Sequence, residues 1–245
     1  MLVGTGAGAM KVGERGRDGF RPRGEGPSRL DALTDGVFAL AITLLVVTNE
    51  IPTEFDEFMS AMLGFPAFAA CFAILIWFWF THHVYSRRLG LIDAPTTAIT
   101  AVLLFIVLFF VYVMKYLYAW LLAHVIGVGP RELVGDLTLG DARLLMALFS
   151  VGFLAVCLVF VALYARAWRS RERLGLDEIE RVVVQDEVVN WVALGGIPVL
   201  SLGLLATNVP WLIAAGGWCY GFIGLVKFVT GYRHGRRLER VMKSG

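Results

Sequence analysis

Residues 94–124 read APTTAITAVLLFIVLFFVYVMKYLYAWLLAH and carry a single charge, Lys115. A helix needs about 20 mostly apolar residues to cross a bilayer. This stretch exceeds that length and has room to tilt. Working outward from it, five further apolar runs appear: Leu30–Ile51, Phe58–Thr81, Ala142–Trp168, Val188–Thr207 and Trp211–Tyr232. Only Asn208, Val209 and Pro210 separate the last two, which predicts a tight helical hairpin. Of the 245 residues, 58% are hydrophobic and 17% charged, with a mean hydropathy of +0.70. Ordinary soluble domains are about 45–50% apolar and about 25% charged. The excess excludes a disordered chain, a nucleic-acid-binding module and a secreted disulfide scaffold. Six spans also leave little room for a soluble catalytic domain. Cys71, Cys157 and Cys219 all lie inside apolar runs and read as small buried hydrophobes. The expected fold is an all-α, multi-pass integral membrane protein with six transmembrane helices per subunit.

Loop charges set the expected orientation, because Lys and Arg accumulate on the cytoplasmic side. Lys11, Arg15, Arg17, Arg21, Arg23 and Arg29 precede the first run, and Arg87 and Arg88 follow the second. Arg166, Arg169, Arg171, Arg173 and Arg181 follow the fourth, and Arg233, Arg236, Arg237, Arg240 and Lys243 follow the sixth. The opposite side has only Arg131 and Arg143. Both termini are therefore expected in the cytoplasm. Residues 1–28, Gly-rich and basic, are expected to be a disordered tail, residues 29–232 the membrane domain, and residues 233–245 a second basic tail. Glu50, Glu54, Asp56 and Glu57 form an acidic cluster at the outer end of helix 1. They are either cation-concentrating groups at an outer mouth or solvated loop acids. Residues 165–187 form the longest cytoplasmic connection, read either as an amphipathic surface helix or as an extension of a neighbouring span.

Polar groups within apolar helices are costly and mark candidate function. Arg29, Asp31, Thr34 and Asp35 open helix 1; Trp79, Thr81, His82 and His83 close helix 2 at the same depth. Such a group is either a helix-packing clamp or a device for handling ions or protons. At about 100° per residue, Gly36, Leu40, Thr43 and Val47 share one stripe of helix 1, whereas Thr34, Asp35 and Phe38 lie away from it. Small, bulky and hydroxyl residues in one stripe suit close helix packing. They can also line a narrow conduit with an apolar constriction and a hydroxyl ring, although periodicity alone favours packing. Lys115 and Lys227 are long enough to snorkel to an interface. The adjacent His82 and His83 point to different sides of a helix, so no metal site is expected. No cofactor motif or enzymatic constellation stands out. Val229-Thr230-Gly231-Tyr232 is a scrambled version of the TVGYG filter and carries no weight.

The text of helix 1 carries a family resemblance. Arg29-Leu-Asp-Ala-Leu33-Thr34-Asp35-Gly-Val-Phe-Ala-Leu-Ala-Ile-Thr43 resembles the signature of prokaryotic members of the transmembrane protein 175 family of potassium channels. That signature reads R-x-x-x-F-S-D followed by GVFAIAITLL. Arg29 and Asp35 match, Leu33 stands in place of the Phe, and Thr34 keeps the hydroxyl of the Ser. Trp79-x-x-His82 at the end of helix 2 is similar to the family too. The resemblance implies a homotetramer with a central pore lined by helix 1 and no TVGYG filter. It places an apolar constriction at Leu40 and a selectivity-related threonine layer at Thr43. Arg29, Thr34, Asp35, Trp79 and His82 would form the network holding helix 1 against helices 2 and 3. Potassium and other monovalent cations would be the permeant species, with no cofactor and no nucleic-acid partner. The competing expectation is a proton-coupled secondary transporter using Asp35 and His82. The absence of a broken helix or internal repeat weighs against it.

Overall fold

The computed structural model describes residues 20–23, 26, 28–47, 54–127, 135–207 and 209–244. The described chain is helical throughout: α1 (Arg29–Val47), α2 (Phe55–Leu63), α3 (Phe65–Leu89), α4 (Ala94–Leu121), α5 (Leu139–Arg169), α6 (Glu178–Leu205), α7 (Pro210–Trp218) and α8 (Ile223–Ser244). A π-helical turn, Leu122–Ile126, prolongs α4, and a 3-10 turn, Cys219–Phe222, joins α7 to α8. Among the described residues, five helical stretches are long and apolar enough to cross a bilayer: α3, α4 with its π-helical extension, α5, α6, and α7 continued into α8. The remaining expected span falls on α1, whose 19 residues extend about 28 Å.

Side chains at the helix starts satisfy amides that have no intrahelical partner. Ser28 and Asp31 cap α1 reciprocally, the Asp31 amide donating to Ser28 Oγ at 3.1 Å and the Ser28 amide to Asp31 Oδ2 at 2.8 Å. The same device opens α5 through Thr138 and Asp141, and α6 through Asp177 and Glu180. Asp93 caps α4, accepting the Thr96 amide at 3.1 Å, and also accepts Arg166 Nη2 at 2.6 Å. Burial alone would raise the Asp93 carboxyl. The Thr96 hydroxyl and amide and the Arg166 guanidinium outweigh it and hold it below its ordinary value. α3 ends at Gly90, whose φ of 58° is the left-handed conformation that suits a residue without Cβ.

Three runs differ from expectation for identifiable reasons. The second is split into α2 and α3 at Gly64, because Pro66 lacks the amide hydrogen that would bond the Met62 carbonyl one turn back. α3 then continues past Thr81 to Leu89. The sixth run is broken at Cys219–Phe222, where Gly216, Gly217, Gly221 and Gly224 cluster. Each glycine costs a helix about 1 kcal/mol relative to Ala. Beyond Tyr232, the segment expected as a basic tail stays helical to Ser244. Within residues 165–187, α6 begins at Glu178, so its amphipathic part extends the fifth span. Leu176 and Val183 are buried in the protein.

α5 and α6 form the centre of the bundle. α4 packs on α5, α3 on α4, α1 against both α3 and α4, and α8 on α6. The Phe160 ring stacks on Trp191 with centroids 4.2 Å apart. Gly152 of α5 lies under Phe110 of α4, where an added Cβ would sit 2.3 Å from the ring. Only glycine lets these two helices approach so closely.

Part of the expected disordered tail is instead ordered. Phe20 is buried in the core, and the guanidinium groups of Arg23 and Arg88 lie 5.5 and 5.7 Å from its ring centroid. Arg23 donates to both carboxylate oxygens of the buried Glu180, at 3.1 and 2.6 Å, and to the carbonyls of Leu174 and Gly175. Composition marks a basic Gly-rich stretch as disordered, but one aromatic and a buried counter-charge suffice to dock these four residues. Removing one partner of a buried pair leaves an uncompensated charge costing about 3 kcal/mol or more. Glu180→Gln should therefore lower the thermal unfolding midpoint in detergent clearly, and adding Arg23→Met to Glu180→Gln, which keeps an acceptor for the α6 cap, should recover most of the loss. An unchanged midpoint in Glu180→Gln would show that the pair contributes nothing.

Candidate conduction site on the first helix

α1 is tied down along one side and open along the other. Near its N-terminus, Ser86 of α3 donates its hydroxyl to Asp31 Oδ1 at 2.5 Å. One turn on, the Trp79 indole donates to Asp35 Oδ1 at 2.7 Å. Near the C-terminus, the Lys115 ammonium of α4 donates to the Leu45 carbonyl at 3.0 Å. The last carbonyls of a helix lack intrahelical donors and carry partial negative charge, so a cation is well placed there. Between these ties, Phe38, Ala41 and Leu45 are buried against α3 and α4.

Among the described residues, nothing covers the opposite face in the single chain. Gly36, Leu40 and Thr43 are exposed, Leu40 to 51%. Leu33, the position that departs from the family signature, is exposed to 54%. The Thr43 hydroxyl donates to the Ala39 carbonyl of its own helix at 2.9 Å. That use of its only proton leaves the oxygen lone pairs free to face a cation. Val47 is the last residue of α1, and its side chain, like Glu50, lies outside the described residues. Glu54 is exposed just before α2.

The five residues expected to form one network are divided among four separate settings. Asp35 and Trp79 bond each other, joining α1 to α3. His82 is buried, with Nε2 3.2 Å from Thr100 Oγ1, so its hydrogen bond joins α3 to α4 and does not go to α1. Thr34 is buried, but its hydroxyl donates to the Leu30 carbonyl of its own helix at 2.8 Å. Arg29 is exposed and makes no hydrogen bond to a described residue. Asp35 and His82 do not bond each other, so the pair required for a transporter relay is engaged elsewhere. His83 stacks on Trp79 with centroids 5.5 Å apart.

Sequence reasoning missed Ser86, Thr100 and the inward role of Lys115. The Lys115 side chain turns toward α1, where the Leu45 carbonyl lies within its reach. A lysine with few other charges in its run signalled a buried acceptor, though not which one. The Asp35–Trp79 bond yields a quantitative expectation. A double-mutant cycle of Asp35→Ala and Trp79→Phe in thermal unfolding should show a coupling of about 1 kcal/mol. Additive effects would mean the bond contributes nothing to holding α1.

Known proteins resemble this chain over the same elements. The family described as "Endosomal/lysosomal potassium channel TMEM175" matches residues 29–111, which run from α1 into α4. A potassium channel from Marivirga tractuosa is 32% identical over 197 residues, covering 78% of this chain and 79% of its own length. Among solved structures, a variant of the potassium channel MtTMEM175, bound to a nanobody–MBP fusion protein, superimposes with a TM-score of 0.80. It is 27% identical, and the match covers 92% of this chain and 100% of that one. A lysosomal potassium-selective channel TMEM175 homologue from Chamaesiphon minutus shares the fold, with a TM-score of 0.56 and 21% identity over 82% of this chain and 96% of its own. With its apolar helices, the chain is a multi-pass integral membrane protein and not an enzyme. It belongs to the TMEM175 potassium channel family.

Proposed function

We propose that this protein forms a homotetrameric channel in a prokaryotic cell membrane and conducts potassium passively through a pore lined by α1. In this reading each subunit contributes six spans with both termini in the cytoplasm. The observation that carries the reading is the asymmetry of α1. Phe38 and Ala41 are 2% and 0% exposed on the packed side, whereas Leu40 is 51% exposed between Gly36 and Thr43. A bulky apolar residue held outward on a fixed helix suits a contact between copies around an axis. The naming of the Marivirga relative as a potassium channel supports the same reading.

The mechanism follows from the side chains. Four Leu40 side chains meeting at the axis form an apolar constriction that closes by excluding water. A small tilt or rotation of α1 then admits water and ions. Thr43 lies three residues further on, about 4.5 Å along the axis. Its hydroxyl oxygens replace part of the hydration shell of a passing cation, without a TVGYG filter. Partial replacement gives a modest preference for potassium over sodium, with other monovalent cations also permeant. Gly36 and Val47 complete the lining stripe, and Glu50 and Glu54 concentrate cations at the outer mouth.

The test is current through purified protein in a planar bilayer, with potassium on one side and sodium on the other. Leu40→Ala should raise the resting conductance severalfold, and an unchanged conductance would remove Leu40 from the constriction. Thr43→Ala should move the reversal potential toward zero, and an unaltered potential would remove Thr43 from selectivity.

A further inference from the structure

α8 leaves the bundle with two unlike faces. The inner face is bonded to α6: Thr230 donates its hydroxyl to Asn190 Oδ1 at 3.0 Å, and Arg237 donates to Asp186 Oδ1 at 2.5 Å. His234 Nδ1 lies 2.8 Å from the other oxygen of Asp186. These bonds set the rotation of the helix about its own axis. At about 100° per residue, Leu225, Val229, Tyr232, Arg233, Arg236 and Arg240 then fall within an outward arc of about 100°. All six are exposed. Along this one stripe the chain changes from apolar to basic at Tyr232–Arg233.

The basic end is shaped as well as charged. Tyr232, Arg233, Arg236, Arg237 and Arg240 line a shallow recess of about 250 Å³. The Arg236 guanidinium lies 5.7 Å from the centroid of the Tyr232 ring. Arg237 is neutralised by Asp186. No described carboxylate stands within ion-pair distance of Arg233, Arg236 or Arg240. Guanidinium groups bind phosphate oxygens in a planar, bidentate fashion and hold them better than a point charge does. Arginines immediately beyond the apolar end of a membrane helix meet anionic headgroups at the surface.

We propose that this stripe is a binding site for one anionic glycerophospholipid, its phosphate held by Arg233, Arg236 and Arg240 and its acyl chains lying along Val229 and Leu225. Tyr232 marks the interface between them, as amphipathic rings do. The site rests on the membrane-spanning reading of α8 and on α8 being outermost in the oligomer. α1 packs on α3 and α4, whereas α8 packs on α6, so a pore built from α1 leaves α8 toward lipid. The occupant shares its phosphate chemistry with free inorganic phosphate, but the apolar stripe running into the recess selects the lipid.

The test reads lipid binding directly and does not depend on conduction. The full chain is reconstituted into phosphatidylcholine vesicles containing phosphatidylglycerol and extracted in mild detergent, and retained lipid is identified by mass spectrometry. The wild type should retain phosphatidylglycerol in preference to phosphatidylcholine. The triple variant Arg233→Gln, Arg236→Gln, Arg240→Gln should lose that preference by roughly tenfold or more. Arg87→Gln, Arg171→Gln, Arg173→Gln removes equal charge elsewhere and should leave the preference intact. Equal retention by the α8 variant would overturn the site, and equal loss in the control would reduce it to general surface charge. Displacement of the lipid by inorganic phosphate would assign the recess to a free anion instead. Loss of current in protein that still retains phosphatidylglycerol would count against the channel reading and leave the lipid site standing.

Discussion

The attachment of α1 along one side only is the constraint on which the rest depends. Asp31 and Asp35 fix its beginning to α3, and Lys115 of α4 fixes its end through the Leu45 carbonyl. These three polar ties sit in a largely apolar helix bundle, where an unmatched polar group is expensive. Partners so held leave α1 little freedom to rotate independently of α3 and α4. The exposed stripe is therefore presented in a defined direction by the whole subunit.

The other ties extend that frame outward from α1. His82 and Thr100 join α3 to α4, Asp93 and Arg166 join the start of α4 to the end of α5, and Asp186 joins α6 to α8. The Asp93–Arg166 and Asp186–Arg237 contacts link residues 73 and 51 positions apart in sequence. Between them the packing is aromatic and close, with Gly152 allowing Phe110 to press against α5. Arg23 and Glu180 bring the residues just before α1 onto the α5–α6 connection. The chain thus enters its candidate pore helix from an anchored position.

Much of this was legible in the sequence because hydropathy and helical periodicity report on one helix at a time. The apolar runs located the long helices, and the stripe through Gly36, Leu40 and Thr43 marked a face distinct from that of Thr34 and Phe38. The residues of the family signature carried the family. What stayed hidden was the choice of partner. Nothing in the pattern singles out Ser86, and Lys115 looked able to reach an interface. Each found an acceptor that only folding brings near. Arg29 and His82 shared a motif with Asp35 but not its contacts, since position along a helix does not tell which neighbour a side chain meets. Local chemistry overrode hydropathy at Gly64–Pro66 and at Cys219–Phe222, where a missing amide hydrogen and a cluster of glycines broke two continuous apolar runs. Phe20 and Arg23 were hidden for the opposite reason: the composition around them is that of a disordered segment.

The central claim, that the open face of α1 meets the permeating ion, is tested most directly by thiol accessibility from the pore. The native cysteines Cys71, Cys157 and Cys219 are all buried, so the background is quiet. Silver ions applied to open Thr43→Cys channels in a planar bilayer should block the current irreversibly, while Val37→Cys on the packed side should leave it unaffected. Block at Val37→Cys, or a Thr43→Cys channel indifferent to silver, would contradict the account.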